Sequence, residues 1–189
     1  MSLLLFAAAC GAAPSTEKPA PPTTADIQRE FARARSVDDQ HIGVTSIATP
    51  VVPGLGLYRV TVGRSPHLWS SAVVMGAEVL VDPIKERDAI VRAWGYGPVR
   101  TAPVDDVARA MLLTLDVEEE PTLVTDPAKA SYLQRLGVEG VSVPVETTEG
   151  GLPGVRFWYG TGENPATEVI VTFAPGGVDL RPGRTHGGG

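Results

Sequence analysis

Residues 103–115 read PVDDVARAMLLTL, and the fold turns on this stretch. Val104, Val107, Ala108, Met111 and Leu115 recur at i, i+3, i+4, i+7 and i+11, which places them along one face of a helix. Pro103 and the pair Asp105-Asp106 suit its first turn, because carboxylates are stabilised at the positive end of a helix dipole. The spacing predicts Val104, Val107, Met111 and Leu115 turned into a core, with Asp106 and Arg109 outward.

Two more helices flank this one. Asp82-Pro83 and Asp126-Pro127 each set an N-cap acceptor before a proline at the first helical position, where its missing N–H costs nothing. The first of these helices is expected to run to about Trp94 and stop at Gly95, the second to end at Leu136 before Gly137. Strands are expected on both sides of the group. Upstream, His41 to Thr49 is one. Leu55 to Val62 alternates, with Leu55, Leu57, Arg59 and Thr61 on one face and Tyr58, Val60 and Val62 on the other. Trp69 to Met75 and Glu78 to Val81 read as a hairpin around Gly76-Ala77. Downstream, Val138 to Thr147, Val155 to Gly160, Glu168 to Ala174 and Val178 to Arg181 are separated by Gly/Pro turns. A leading helix, with Ile27, Phe31 and Ala34 on one face, ends near Arg35.

The class is therefore α+β, with antiparallel β-meanders before and after a central group of three helices. The two meanders fit either one sheet with helices on one face or two small lobes. Pro53-Gly54, Leu57-Tyr58, Ser65-Pro66 and Val73 to Gly76 also parallel Pro153-Gly154, Phe157-Trp158, Asn164-Pro165 and Ile170 to Gly177. Shared turn chemistry or a duplication accounts for that.

The chain has 189 residues, 43% hydrophobic and 20% charged, which suits one globular domain. A net charge of -6 argues against nucleic acid as a partner. The single cysteine, Cys10, excludes intramolecular disulfides and CxxC chemistry.

At the amino terminus, Ser2 to Ala9 reads SLLLFAAA and is followed by Cys10. Eight residues are too few to span a bilayer, which takes about 20, but they suit the apolar part of a secretory signal. Ala7-Ala8-Ala9-Cys10 resembles a bacterial lipobox. The resemblance implies a bacterial lipoprotein in which the Cys10 thiol carries the lipid, including palmitate. Ala7 stands where that pattern usually has Leu. No Lys or Arg precedes Cys10, so a basic start is expected upstream of Met1.

Gly11 to Thr24 reads GAAPSTEKPAPPTT, too polar and proline-rich to bury itself, and predicts an extended tether of roughly 40 Å. The expected layout is a signal remnant over 1–9, a lipidated cysteine and tether over 10–24, one α+β domain over 25–181 (or two small lobes), and a flexible Gly-rich tail over 182–189. It places the protein in the cell envelope, lipid-anchored at the outer membrane and facing the periplasm or the cell surface.

Signs of chemistry are few. Gly63-Arg64-Ser65-Pro66-His67 starts like a nucleophile elbow but lacks the final glycine. His41, His67 and His186 never fall at i, i+3 or i+4, so no helical metal pair is expected. No phosphate-binding glycine string occurs, and no catalytic residue, metal or cofactor is expected. In Phe157-Trp158-Tyr159, alternation sets Phe157 and Tyr159 on one face and Trp158 with Arg156 on the other. Trp158 is then either an exposed anchor for a partner, with Arg156 beside it, or lies under a helix. The reading is an envelope lipoprotein that binds or scaffolds another envelope protein; the alternative is an envelope-directed hydrolase.

Overall fold

The computed structural model describes residues 20–47, 55–63, 69–94, 102–117, 119–162, 166–175 and 177–186. The protein is α+β. Helix α1 (Thr24–Arg35) leads into strands β1 (Ile42–Ile47), β2 (Leu55–Val62), β3 (Trp69–Met75) and β4 (Glu78–Leu80). Helices α2 (Pro83–Trp94) and α3 (Val104–Leu112), strand β5 (Thr122–Leu123) and helix α4 (Pro127–Arg135) follow. Strands β6 (Val145–Glu149), β7 (Leu152–Gly160), β8 (Ala166–Ala174) and β9 (Gly177–His186) complete the chain.

The strands form two antiparallel sheets, not one. The first runs β1-β2-β3-β4, and in the second β7, β8 and β9 are neighbours, with β5 and β6 both on the free edge of β7. Between the sheets lie α2 and α3. A single apolar cluster joins Leu57, Val73 and Leu80 of the first sheet to Ile90 of α2, Val107 and Met111 of α3, and Phe157, Val169 and Val171 of the second. The outer faces are closed by the other two helices. Ile27 and Phe31 of α1 pack on Ile42, Val60, Ala72 and Val74, while Ala130 and Leu133 of α4 pack with Val138 and Val141 around Trp158. In section the molecule runs α1, first sheet, α2 with α3, second sheet, α4.

Local signals in the chain explain the element starts. Asp82 Oδ1 accepts from the amides of Ile84 and Lys85 at 3.0 and 3.3 Å, and Asp126 Oδ1 from Ala128 at 2.8 Å. At α1 a capping box closes instead. Thr23 Oγ1 accepts from the Asp26 amide at 3.3 Å, and Asp26 Oδ2 accepts from the Thr23 amide at 2.8 Å. The Thr23 hydroxyl, which donates to the same Oδ2 at 2.6 Å, and then the Thr23 amide hold the Asp26 carboxyl below its usual range. Thr23 thus belongs to the fold rather than to a free tether, and replacing such a cap costs about 1 kcal/mol.

Two expected boundaries are corrected. Residues 182–186 are not a loose tail: β9 continues through them, with Thr185 opposite Thr167 and His186 opposite Ala166. The ladder is irregular between Thr167 and Val169, where Pro182 brings no N–H and the Glu168 carboxylate accepts from the Arg184 amide at 3.4 Å. Gly183 is needed there, since a Cβ would stand 2.5 Å from Glu168 Oε2. Residues 138–144 are not strand either. Gly140 has φ +75°, Pro144 cannot donate, and the Val141 carbonyl accepts from Gln134 Nε2 at 2.8 Å, so the segment turns under Trp158.

Helix α3 is buried more broadly than its stripe predicts. Val107, Ala108, Ala110 and Met111 are all at most 1% exposed, whereas Val104 and Leu115 are half-buried. Asp106 and Arg109 are half-buried as well. Met111→Ala is expected to cost about 2–5 kcal/mol in urea unfolding, the range for emptying a core position, and Arg109→Ala much less.

Candidate functional site

Alternation along β3 sends Ser71 and Val73 toward the centre and Ala72 and Val74 toward α1. In α2, Glu86 stands three and four residues before Ala89 and Ile90, on the same inward face. The two polar side chains meet there. Glu86 is 0% exposed and Ser71 5%.

Ser71 Oγ lies 2.8 Å from Glu86 Oε2 and also contacts the carbonyl oxygen of Leu113, just past α3. A hydroxyl donates only one proton. With an ionised Glu86, two acceptors would compete for it, and Glu86 Oε1 has no hydrogen-bond partner. The contacts are all satisfied if Glu86 is a neutral acid that donates to Ser71, which donates to Leu113. Burial pushes the Glu86 carboxyl up to about 8, outweighing the lowering that a Ser71 hydroxyl donating to an ionised carboxylate would bring. A serine beside a carboxylate can suggest a nucleophile and its base. Here the hydroxyl is enclosed and its proton is directed to a backbone carbonyl. The chain of bonds ties β3, α2 and the end of α3 together.

Lys85 and Arg87, on the two flanks of Glu86, line a cleft of about 780 Å³ between the last turns of α1, strand β4 and the first turn of α2. Arg33 and Arg35 of α1 also line it, as do Glu30, Asp82 and Asp116. Arg33 Nη2 is 2.6 Å from Glu30 Oε2. Arg87 Nη2 reaches the Thr114 carbonyl at 3.5 Å, and burial lowers the pKa of its guanidinium. Such a cleft can hold a charged small group. Among the described residues, no three His, Cys, Asp or Glu side chains are grouped to bind a metal.

The residues singled out from sequence lie elsewhere. Cys10 and the Ser65–His67 turn are outside the described residues. Trp158 is 1% exposed beneath α4, so it is no surface anchor, and the covered alternative holds. Arg156, on the same face of β7, is exposed, with Nε 3.9 Å from Glu168 Oε1. His41 is an exposed turn residue with Nδ1 3.7 Å from Asp38 Oδ2. Sequence reading passed over Glu86, although a carboxylate on the Ala89–Ile90 face was the available signal.

Because Glu86 titrates near 4.5 when unfolded and near 8 when folded, its contribution is fully present below about pH 4.5 and is lost as the pH rises to about 8. Glu86→Gln keeps a donor for Ser71 without the proton. The stability difference between the parent and this variant is expected to move against the parent across that window, and chemical denaturation at successive pH values measures it. A difference independent of pH would mean that Glu86 is ionised in the fold.

Comparison of the chain with protein-family models, curated proteins and solved structures finds no match.

Proposed function

We propose that the chain is a lipid-anchored protein of the bacterial cell envelope whose folded domain acts by binding another envelope protein. The observation that carries the reading is the order of segments. An apolar stretch meets Cys10 in a lipobox-like setting, a proline-rich spacer follows, and the Thr23–Asp26 capping box opens the fold. The lipid on Cys10 supplies attachment and the spacer supplies reach. Among the described residues no helix is long and apolar enough to cross a membrane.

With Trp158 enclosed, the partner surface is reassigned to the outer side of α4. Tyr132 and Leu136 are 54% and 62% exposed there, at i and i+4, on the same side of the second sheet as exposed Arg156. The Arg135 guanidinium lies 6.0 Å from the Tyr132 ring. An aromatic, an aliphatic and arginines together suit a protein–protein contact.

Expressed in a bacterium behind a basic signal start, the chain is expected to take up labelled palmitate, and Cys10→Ser to abolish the label. Label that survives Cys10→Ser would remove the anchor from the proposal. Separately, the full chain immobilised and exposed to envelope extract is expected to retain a protein that the Tyr132→Ala/Leu136→Ser double variant does not. Equal retention by both would remove α4 as the partner surface.

A further inference from the structure

Four cations line the cleft between α1 and α2, and among the described residues only Arg33 is ion-paired there. Among its carboxylates, Glu30 neutralises Arg33 and Asp82 is engaged with the α2 amides. Arg35, Lys85 and Arg87 take part in no ion pair among the described residues, so three unpaired cations share the cleft with the carboxylates of Asp82 and Asp116, an excess of one positive charge. The cluster stands out in a chain of net charge -6.

Arg87 sharpens the point. Among the described residues its buried Nε has no hydrogen-bond partner, and its bond to the Thr114 carbonyl is long. A guanidinium presents five donors in a rigid fork that matches the oxygens of a phosphate. Because Asp82 already caps α2, an incoming anion would meet side chains rather than free helix amides. The rim also bears Ile84, 65% exposed, next to Pro83. At about 780 Å³ the cleft is of the size that takes a small molecule.

We propose that this cleft binds an anionic phospholipid headgroup, its phosphate held by Arg35, Lys85 and Arg87 and the start of its apolar part resting on Ile84. The shared chemistry with a free phosphate ester is the phosphate itself. Ile84 favours the amphiphile, because a bare phosphate has nothing to place against an aliphatic side chain.

The test uses the full chain with Cys10→Ser, so that no attached acyl group competes. Calorimetric titration compares three monomeric probes: dihexanoyl phosphatidylglycerol, dihexanoyl phosphatidylcholine and glycerol phosphate. Phosphatidylglycerol is expected to bind more tightly than either of the others. Arg35→Gln/Lys85→Gln is expected to weaken it about tenfold, the loss expected from removing two charge contacts. Ile84→Ser is expected to weaken the lipid but not glycerol phosphate. Arg35 and Lys85 are both exposed, so an unchanged thermal midpoint checks that the double variant is folded. Equal binding of the two lipids, or full affinity in the double variant, would overturn the site. Glycerol phosphate binding as tightly as phosphatidylglycerol would overturn the amphiphile.

Discussion

Helices α2 and α3 lie between two sheets, and keeping them dry on both sides is the constraint on which the other layers depend. Each large aliphatic side chain moved from water into such a core contributes about 1.5–3 kcal/mol. Ile90, Val107 and Met111 are all fully buried there, with Leu57 and Val73 from one sheet and Phe157 and Val171 from the other. Ala89 of α2 and Ala108 and Ala110 of α3 are buried in the same cluster. A sheet that gives one face to this centre still has an apolar second face. That requirement brings α1 onto the first sheet and α4 onto the second.

The layering also sets matching positions in the two halves of the chain on matching faces. Leu57 and Phe157 both face the centre, while Tyr58 packs toward α1 and Trp158 toward α4. In each half a helix precedes four consecutive antiparallel strands and covers the face turned away from the centre. At the matched pairs Leu57-Tyr58 and Phe157-Trp158 the two halves therefore meet the same inside–outside demand.

Charged groups sit where this packing leaves room for them. Glu86 lies on the inward face of α2, and an ionised carboxylate there would lose water and gain one donor at most. Its proton and the Ser71 hydroxyl turn a misplaced charge into a neutral connection between sheet and helices. The neighbouring Lys85 and Arg87 are set about 100° to either side of Glu86 by the helical turn, so one short run, Lys85-Glu86-Arg87, supplies both the internal link and cations of the cleft.

Sequence alone determined whatever rests on neighbours along the chain. Asp-Pro starts fix α2 and α4, the turn at Gly76-Ala77 fixes the β3–β4 hairpin, and strict alternation fixes β2 from Leu55 to Val62, because caps, turns and pleats are properties of a few consecutive residues. Tertiary structure decided the number of sheets, which face of β7 is outermost, and the fate of Trp158, since strands such as Val169-Ile170-Val171 are apolar on both sides and show no preferred face. It also decided that residues 182–186 are strand: a run of Pro, Gly and Arg pairs only because β8 lies beside it. Glu86 was settled in the same way, since a helix position becomes an enclosed acid only when a distant serine and a distant carbonyl close over it.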